Sequence, residues 1–134
     1  MRFVLVLFAS ACLFAQCDDV EISVKQARHA SEVVFQGTID AFRGTGADRT
    51  VIFRVSRVWK GRVGTTFEMP AIETDGSLCT AFWRGLLVPA NELVVYASRF
   101  PWTVKREYLP LRSRTALVSR ARDLSQLGRG HKPN

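Results

Sequence analysis

A mainly β fold is what this sequence predicts: a small OB-fold-like barrel of five to six strands, with a short N-terminal helix and a C-terminal helix. Three observations predict it. The chain has 134 residues, 47% of them hydrophobic and 23% charged, which suits one packed domain. Its middle is a series of short apolar or alternating runs divided by glycine turn signals. Helical spacing occurs only near the two ends of that series.

The first element is not part of the fold. Met1-Arg2 precedes an apolar run broken only by Ser10, the pattern of a secretory signal peptide over residues 1–16. The run is shorter than the roughly 20 residues needed to span a bilayer, so no transmembrane span is expected in the mature chain. Ala15 at −1 and Leu13 at −3 place cleavage before Gln16, with cleavage before Cys17 as the alternative. Gln16 is not the small residue that lipidation of Cys17 requires, so a secreted or periplasmic protein is favoured over a lipoprotein.

Residues 22–30 hold Ile22, Ala27 and Ala30 without Gly or Pro and read as a short helix. Val33, Val34, Phe35 and Ile39 make residues 32–42 a strand, and Gly44-Thr45-Gly46-Ala47-Asp48 a turn. In residues 50–59, Val51, Phe53 and Val55 alternate with Ile52, Arg54 and Ser56, the period of a half-buried strand. Lys60-Gly61-Arg62-Val63-Gly64 is a second turn, and residues 65–69 a short strand ended by Pro70. Residues 71–85 are irregular, and Leu86-Leu87-Val88 reads as a short strand cut by Pro89. Leu93-Val94-Val95-Tyr96-Ala97 is continuous apolar sequence, as in a central strand buried on both faces. Residues 103–109 read as a last strand. Leu117, Ala121, Leu124 and Leu127 make residues 115–127 helical, with Gly128 as the stop and residues 129–134 a frayed basic tail.

The net charge of +7 is local. Residues 17–98 hold nine Lys/Arg against ten Asp/Glu, a net of −1, whereas residues 99–134 hold nine against two, a net of +7. Arg99, Lys105, Arg106, Arg114, Arg120 and Arg122 form a candidate anionic-ligand patch, with Trp102 and Tyr108 near for stacking. The plainer reading is a solvated helix face and a basic tail. An anionic envelope polymer or lipid is the partner class that fits. Export weighs against nucleic acid.

Catalytic chemistry is poorly supplied. His29 falls in the first helix and His131 in the tail, so no triad is suggested. Asp18-Asp19 with Glu21 lacks the spacing of a calcium loop. Gly44-Thr45-Gly46 is too short for a phosphate loop. No enzyme activity, cofactor or metal is predicted. Once the signal is removed, Cys17 and Cys79 remain. In an oxidising compartment they suggest one disulfide, with two free buried thiols as the alternative. Closing a loop of over 60 residues stabilises by about 4 kcal/mol in the chain-entropy model.

Several segments carry a resemblance. They are Ala30-Ser31-Glu32-Val33-Val34-Phe35-Gln36-Gly37, Phe53-Arg54-Val55-Ser56-Arg57-Val58-Trp59-Lys60-Gly61, Cys79, Leu93-Val94-Val95-Tyr96-Ala97-Ser98, Arg112-Ser113-Arg114-Thr115 and Asp123-Leu124-Ser125-Gln126-Leu127-Gly128. Together they resemble the exported bacterial proteins similar to tissue inhibitors of metalloproteinases, the netrin-like module, across residues 17–128. Cys17 and Cys79 match one cysteine pair of that family. Asp19 and Arg112 stand where a second pair would be, which implies an ion pair in place of a disulfide. The resemblance implies a protein partner, in the extreme an extracellular or periplasmic metalloprotease whose zinc is chelated by the amino group and carbonyl of Cys17, with Asp18 entering the specificity pocket. That chemistry needs Cys17 as the first residue, and a retained Gln16 abolishes it. Residues 82–91, with Phe82, Trp83, Leu86 and Leu87, read as a partner-binding loop or as extra core.

Overall fold

The structure is a computed structural model that describes residues 22–75, 78–100 and 107–134. In chain order the elements are α1 (Val24–Ala30), β1 (Val33–Arg43), β2 (Thr50–Lys60), β3 (Thr66–Pro70), β4 (Glu73–Thr74), β5 (Phe82–Trp83), β6 (Glu92–Arg99), β7 (Tyr108–Pro110), β8 (Ala116–Leu117) and α2 (Leu124–Leu127).

The predicted mainly β barrel is present. One antiparallel sheet runs β3-β2-β1-β6-β7, with β8 added to β6. This is the order of a small, partly open Greek-key barrel of the OB type. β1 and β2 are 11 residues each, and three register shifts between them bend the pair. The curl brings the ends of the sheet together, where Phe67 of β3 meets Tyr108 of β7 with ring centroids 5.0 Å apart. Inside, Phe35 meets Phe53 edge-on at 5.6 Å, and Ile39, Val51, Met69, Phe82, Leu93 and Val95 fill the rest.

A second apolar cluster lies on the outer face of β1 and β6. Val34, Val94 and Tyr96 pack there under Val24 and Ala27 of α1, Trp59 of β2 and Leu127 of α2. Leu93 to Ala97 are therefore buried on both faces, as their continuous apolar character predicts. The start of α1 is fixed by a capping box. Gln26 N–H donates to Ser23 Oγ at 3.1 Å, and Ser23 N–H donates to Gln26 Oε1 at 3.0 Å.

Three expectations are corrected. Residues 115–127 are not one helix: Leu117 pairs with Leu93 through β8, residues Val118–Arg120 make a 3-10 turn, and α2 has only four residues. Pairing wins there because Tyr96 N–H donates to Thr115 Oγ1 at 3.2 Å, which holds the chain along β6. The helical spacing still marks burial, but on two clusters: Leu117 faces the barrel core, and Ala121, Leu124 and Leu127 face the outer cluster.

Leu86-Leu87-Val88 is not a strand. Leu87 is buried in the core while Val88 points out, and the short strand forms earlier, with β5 pairing in parallel to β4. Of the strand expected over residues 103–109, Tyr108 and Leu109 lie in β7, and residues 103–106 lie outside the described residues; β8 follows as a further short strand. The tail is docked rather than frayed. His131 exchanges two backbone hydrogen bonds of 2.8 Å with Val58, and Asn134 N–H donates to Val63 C=O at 3.0 Å. β3 pairs with β2 only from Thr50 to Arg54, so the tail covers an edge that would otherwise be open. The close approach needs Gly130: with φ at +64°, a β-carbon there would lie 2.7 Å from Val58 O.

Candidate functional site

The V-W-K-G segment explains itself first, because it joins the elements around the outer cluster. Trp59 donates its indole N–H to Gly128 C=O at 2.9 Å. Lys60 Nζ donates to the carbonyls of Arg28 at 2.7 Å and His29 at 3.2 Å, the open end of α1. A cation suits that end of a helix. Arg28 returns a bond to Trp59 C=O at 3.0 Å. Gly61 has φ at +81°, and a β-carbon there would lie 2.6 Å from Glu32 O. The segment is a clamp.

A buried polar network lies beside it. Tyr96 is fully buried and its hydroxyl donates to Asp123 Oδ2 at 2.8 Å. Arg114 donates to Asp123 Oδ1 at 3.2 Å and through Nε to Ile22 C=O at 2.7 Å. Burial, and then the bond to Asp123, push the Tyr96 hydroxyl well above its usual titration range. Arg114 thus holds the start of the described chain against its C-terminal part.

The predicted disulfide and its edge fall partly outside the described residues: Cys17, Asp18 and Asp19 lie there. Cys79 and Arg112, the residues the resemblance assigns to them as partners, are described and adjacent. Arg112 N–H donates to Cys79 C=O at 3.0 Å. Arg112 is only 4% exposed, and its guanidinium lies 4.3 Å from the ring centroid of Trp83. Trp83 and Leu78, the chain neighbour of Cys79, are both exposed. Ile72, Leu78, Trp83 and Val88 are the exposed large hydrophobic residues among those described, and all four belong to the connection from β3 to β6. Ile72 C=O accepts from Phe82 N–H at 2.8 Å, and Thr74 Oγ1 accepts from Leu78 N–H at 3.4 Å, which ties three of them to the β4–β5 pair. Residues 82–91 divide between the two predicted roles: Phe82 and Leu87 are core, whereas Trp83 and Val88 are surface.

The predicted anion patch is not uniform. Arg99 pairs with Glu32 at 3.0 Å and covers the Tyr108 ring at 5.0 Å. Arg114 is committed to Asp123. Arg120 and Arg122 are exposed, form no ion pair among the described residues, and line a groove of about 270 Å³ with Ser113 and Asp123. Lys105, Arg106 and Trp102 lie outside the described residues. Tyr108, packed on Phe67, is half-buried.

A larger cleft, of about 540 Å³, is lined by Lys25, Gln26, Arg28, His29 and Lys60. The sequence expectation does not include it, because the net charge excess lies in residues 99–134. The available signal was the spacing of Lys25, Arg28 and His29, which puts them on one face of a helix.

Among the described residues, no three His, Cys, Asp or Glu side chains converge as a metal-holding group. No described helix is long and apolar enough to cross a membrane. The fold and these surfaces define a small OB-type barrel with an apolar edge beside Cys79 and two separate basic grooves. No protein-family model matches the chain, and no curated protein matches it.

Proposed function

We propose that the protein is an exported, non-enzymatic protein-binding module resembling the tissue inhibitors of metalloproteinases. The observation that carries this reading is the concentration of exposed apolar side chains (Ile72, Leu78, Trp83 and Val88) in one connection of the barrel. Solvent-exposed apolar groups gathered in one place mark an interaction surface, and tryptophan beside arginine is the composition of an interface anchor.

The Cys17–Cys79 disulfide and the Asp19–Arg112 ion pair belong to the same reading. A buried guanidinium calls for an anionic partner. Because Arg112 N–H bonds Cys79 C=O, a disulfide at Cys79 brings Asp19, two residues after Cys17, within reach of Arg112. Direct zinc chelation through Cys17 is the narrower form of the reading and needs Cys17 as the first residue. The cleavage expected before Gln16 removes it, and N-terminal sequencing of the exported protein decides between the two.

The test is site-specific photo-crosslinking in the producing cell. A photoreactive residue at position 78 or 83 is expected to give discrete protein adducts, and one at position 41, exposed on β1, none. Absence of adducts at all three positions, or equal labelling at all three, overturns the reading.

A second reading, an envelope-associated binder of anionic polymer or lipid, is favoured by the groove at Arg120 and Arg122, whose cations no acid answers among the described ion pairs. Retention on heparin is then expected to weaken with salt and to fall when both are replaced by alanine. Retention unchanged by the double replacement removes this reading.

A further inference from the structure

Five ion pairs are formed among the described residues. Arg43 pairs with Glu68, Arg54 with Asp40, Arg84 with Asp75, Arg99 with Glu32 and Arg114 with Asp123. None of these ten residues lines the cleft between α1 and the end of β2. Among the described residues, four cationic or protonatable groups line it instead: Lys25, Arg28 and His29 from α1, and Lys60 from β2.

We infer that this cleft is a binding site for a phosphate group, free or carried on a lipid headgroup. The inference is separate from the proposed function and uses none of its residues. Lys25 and His29 stand four positions apart on exposed helix and carry no side-chain hydrogen bond or ion pair among the described residues. Lys60 is held in place by two α1 carbonyls, so its charge sits at the mouth of the cleft and cancels the negative end of the helix dipole. That cancellation matters, because a bare helix C-terminus repels anions. Arg28 uses one N–H on Trp59 C=O, and a guanidinium has five.

Several converging donors suit a tetrahedral dianion with three or four oxygens better than a carboxylate, which offers two. The volume, about 540 Å³, is within the range of small-ligand sites, so more than a bare ion fits. The long aliphatic stems of Lys25 and Lys60 leave room for the apolar part of a phosphoester.

The experiment titrates the isotope-labelled exported protein with inorganic phosphate and follows amide shifts. Separately, it measures co-sedimentation with phosphatidic acid vesicles, whose headgroup is a phosphomonoester, against phosphatidylcholine vesicles. Saturable shifts confined to α1 and the end of β2 are expected. The exposed-residue variant Lys25→Glu with His29→Glu is expected to weaken binding at least tenfold, while Arg120→Glu with Arg122→Glu leaves it unchanged. Saturation by inorganic phosphate without vesicle binding assigns a free phosphate ligand. Phosphatidic-acid-dependent sedimentation lost in the Lys25/His29 variant assigns a lipid headgroup. Shifts that do not saturate, that spread equally to Arg120 and Arg122, or that survive the Lys25/His29 variant overturn the site. So does a failure of both arms while the variant's amide spectrum remains that of the folded protein.

Discussion

Replacing Asp123 with alanine is expected to destabilise the protein by about 3–5 kcal/mol, the cost of breaking a buried charge pair from one side. Asp123 is 5% exposed and serves two donors. One is the fully buried Tyr96 hydroxyl at 2.8 Å, the other the Arg114 guanidinium at 3.2 Å. Removing the carboxylate leaves the hydroxyl without its acceptor and the guanidinium without its counter-charge, and each loss adds to the other. Small domains have only about 5–15 kcal/mol of stability in total, so the variant is expected to sit near the edge of folding. Urea unfolding of the wild type, Asp123→Ala and Tyr96→Phe measures this. Tyr96→Phe keeps the Arg114–Asp123 pair and is expected to cost only about 1–2 kcal/mol. Equal midpoints for Asp123→Ala and Tyr96→Phe overturn the account of Arg114.

The same network has a pH signature. The Tyr96 hydroxyl titrates above its usual value in the folded protein, chiefly through burial, and at about 10 when unfolded. The neutral hydroxyl is thus favoured by folding. Its contribution is fully present below pH about 10. It declines above that, as the unfolded chain releases a proton that the folded one keeps, by about 1.4 kcal/mol per pH unit. Unfolding midpoints taken from pH 8 to 11 are expected to fall more steeply for the wild type than for Tyr96→Phe.

Local pattern made much of this barrel readable. The alternation Val51, Phe53, Val55 against Ile52, Arg54, Ser56 sets β2 on a barrel wall, because a pleated strand turns every second side chain inward. Leu93 to Ala97 could be read as buried on both sides because no polar residue interrupts them, and the α1 and α2 layer supplies the second cover. Residues 115–127 misled because helical spacing records only which residues are buried. Thr115 reaches the backbone of Tyr96, 19 positions away, and that pairing has no trace in a local window. The docked tail is hidden for the same reason: Gly130 is conspicuous only once Val58 O lies against it.

The sites divide in the same way. Cys79 was marked by the cysteine count and Arg112 by resemblance, but the place of Trp83 beneath the guanidinium needed the fold. Regional charge counting pointed to residues 99–134, yet Arg99 and Arg114 there are answered by Glu32 and Asp123. The cleft cations come from a region of net −1 between residues 17 and 98. Their charge is concentrated by folding: a helix and a strand end that lie about 30 positions apart meet, while Asp40, Glu68 and Asp75 of the same stretch face other arginines.

Trp59→Ala is expected to cost about 3–5 kcal/mol, the usual loss for a buried large aromatic, with the tail and α1 loosening before the barrel. Trp59 is 5% exposed and touches Val24, Ala27 and Leu127 through the outer cluster, while its indole N–H holds Gly128 C=O. Trp59→Phe keeps most of the apolar contact and drops only that bond, so about 1 kcal/mol is expected. Hydrogen exchange locates the effect. In Trp59→Ala the amide of His131, bonded to Val58 C=O, should lose protection while amides paired between β1 and β6 keep theirs. Equal stability of the alanine and phenylalanine variants overturns the clamp. The clamp also sets the geometry of the cleft. Lys60 follows Trp59 directly and bonds the end of α1, whose face carries Lys25, Arg28 and His29. A loosened α1 moves three of the four cations away from the fourth. Phosphate affinity should therefore fall in Trp59→Ala and persist in Trp59→Phe, although the indole contributes no charge to the site.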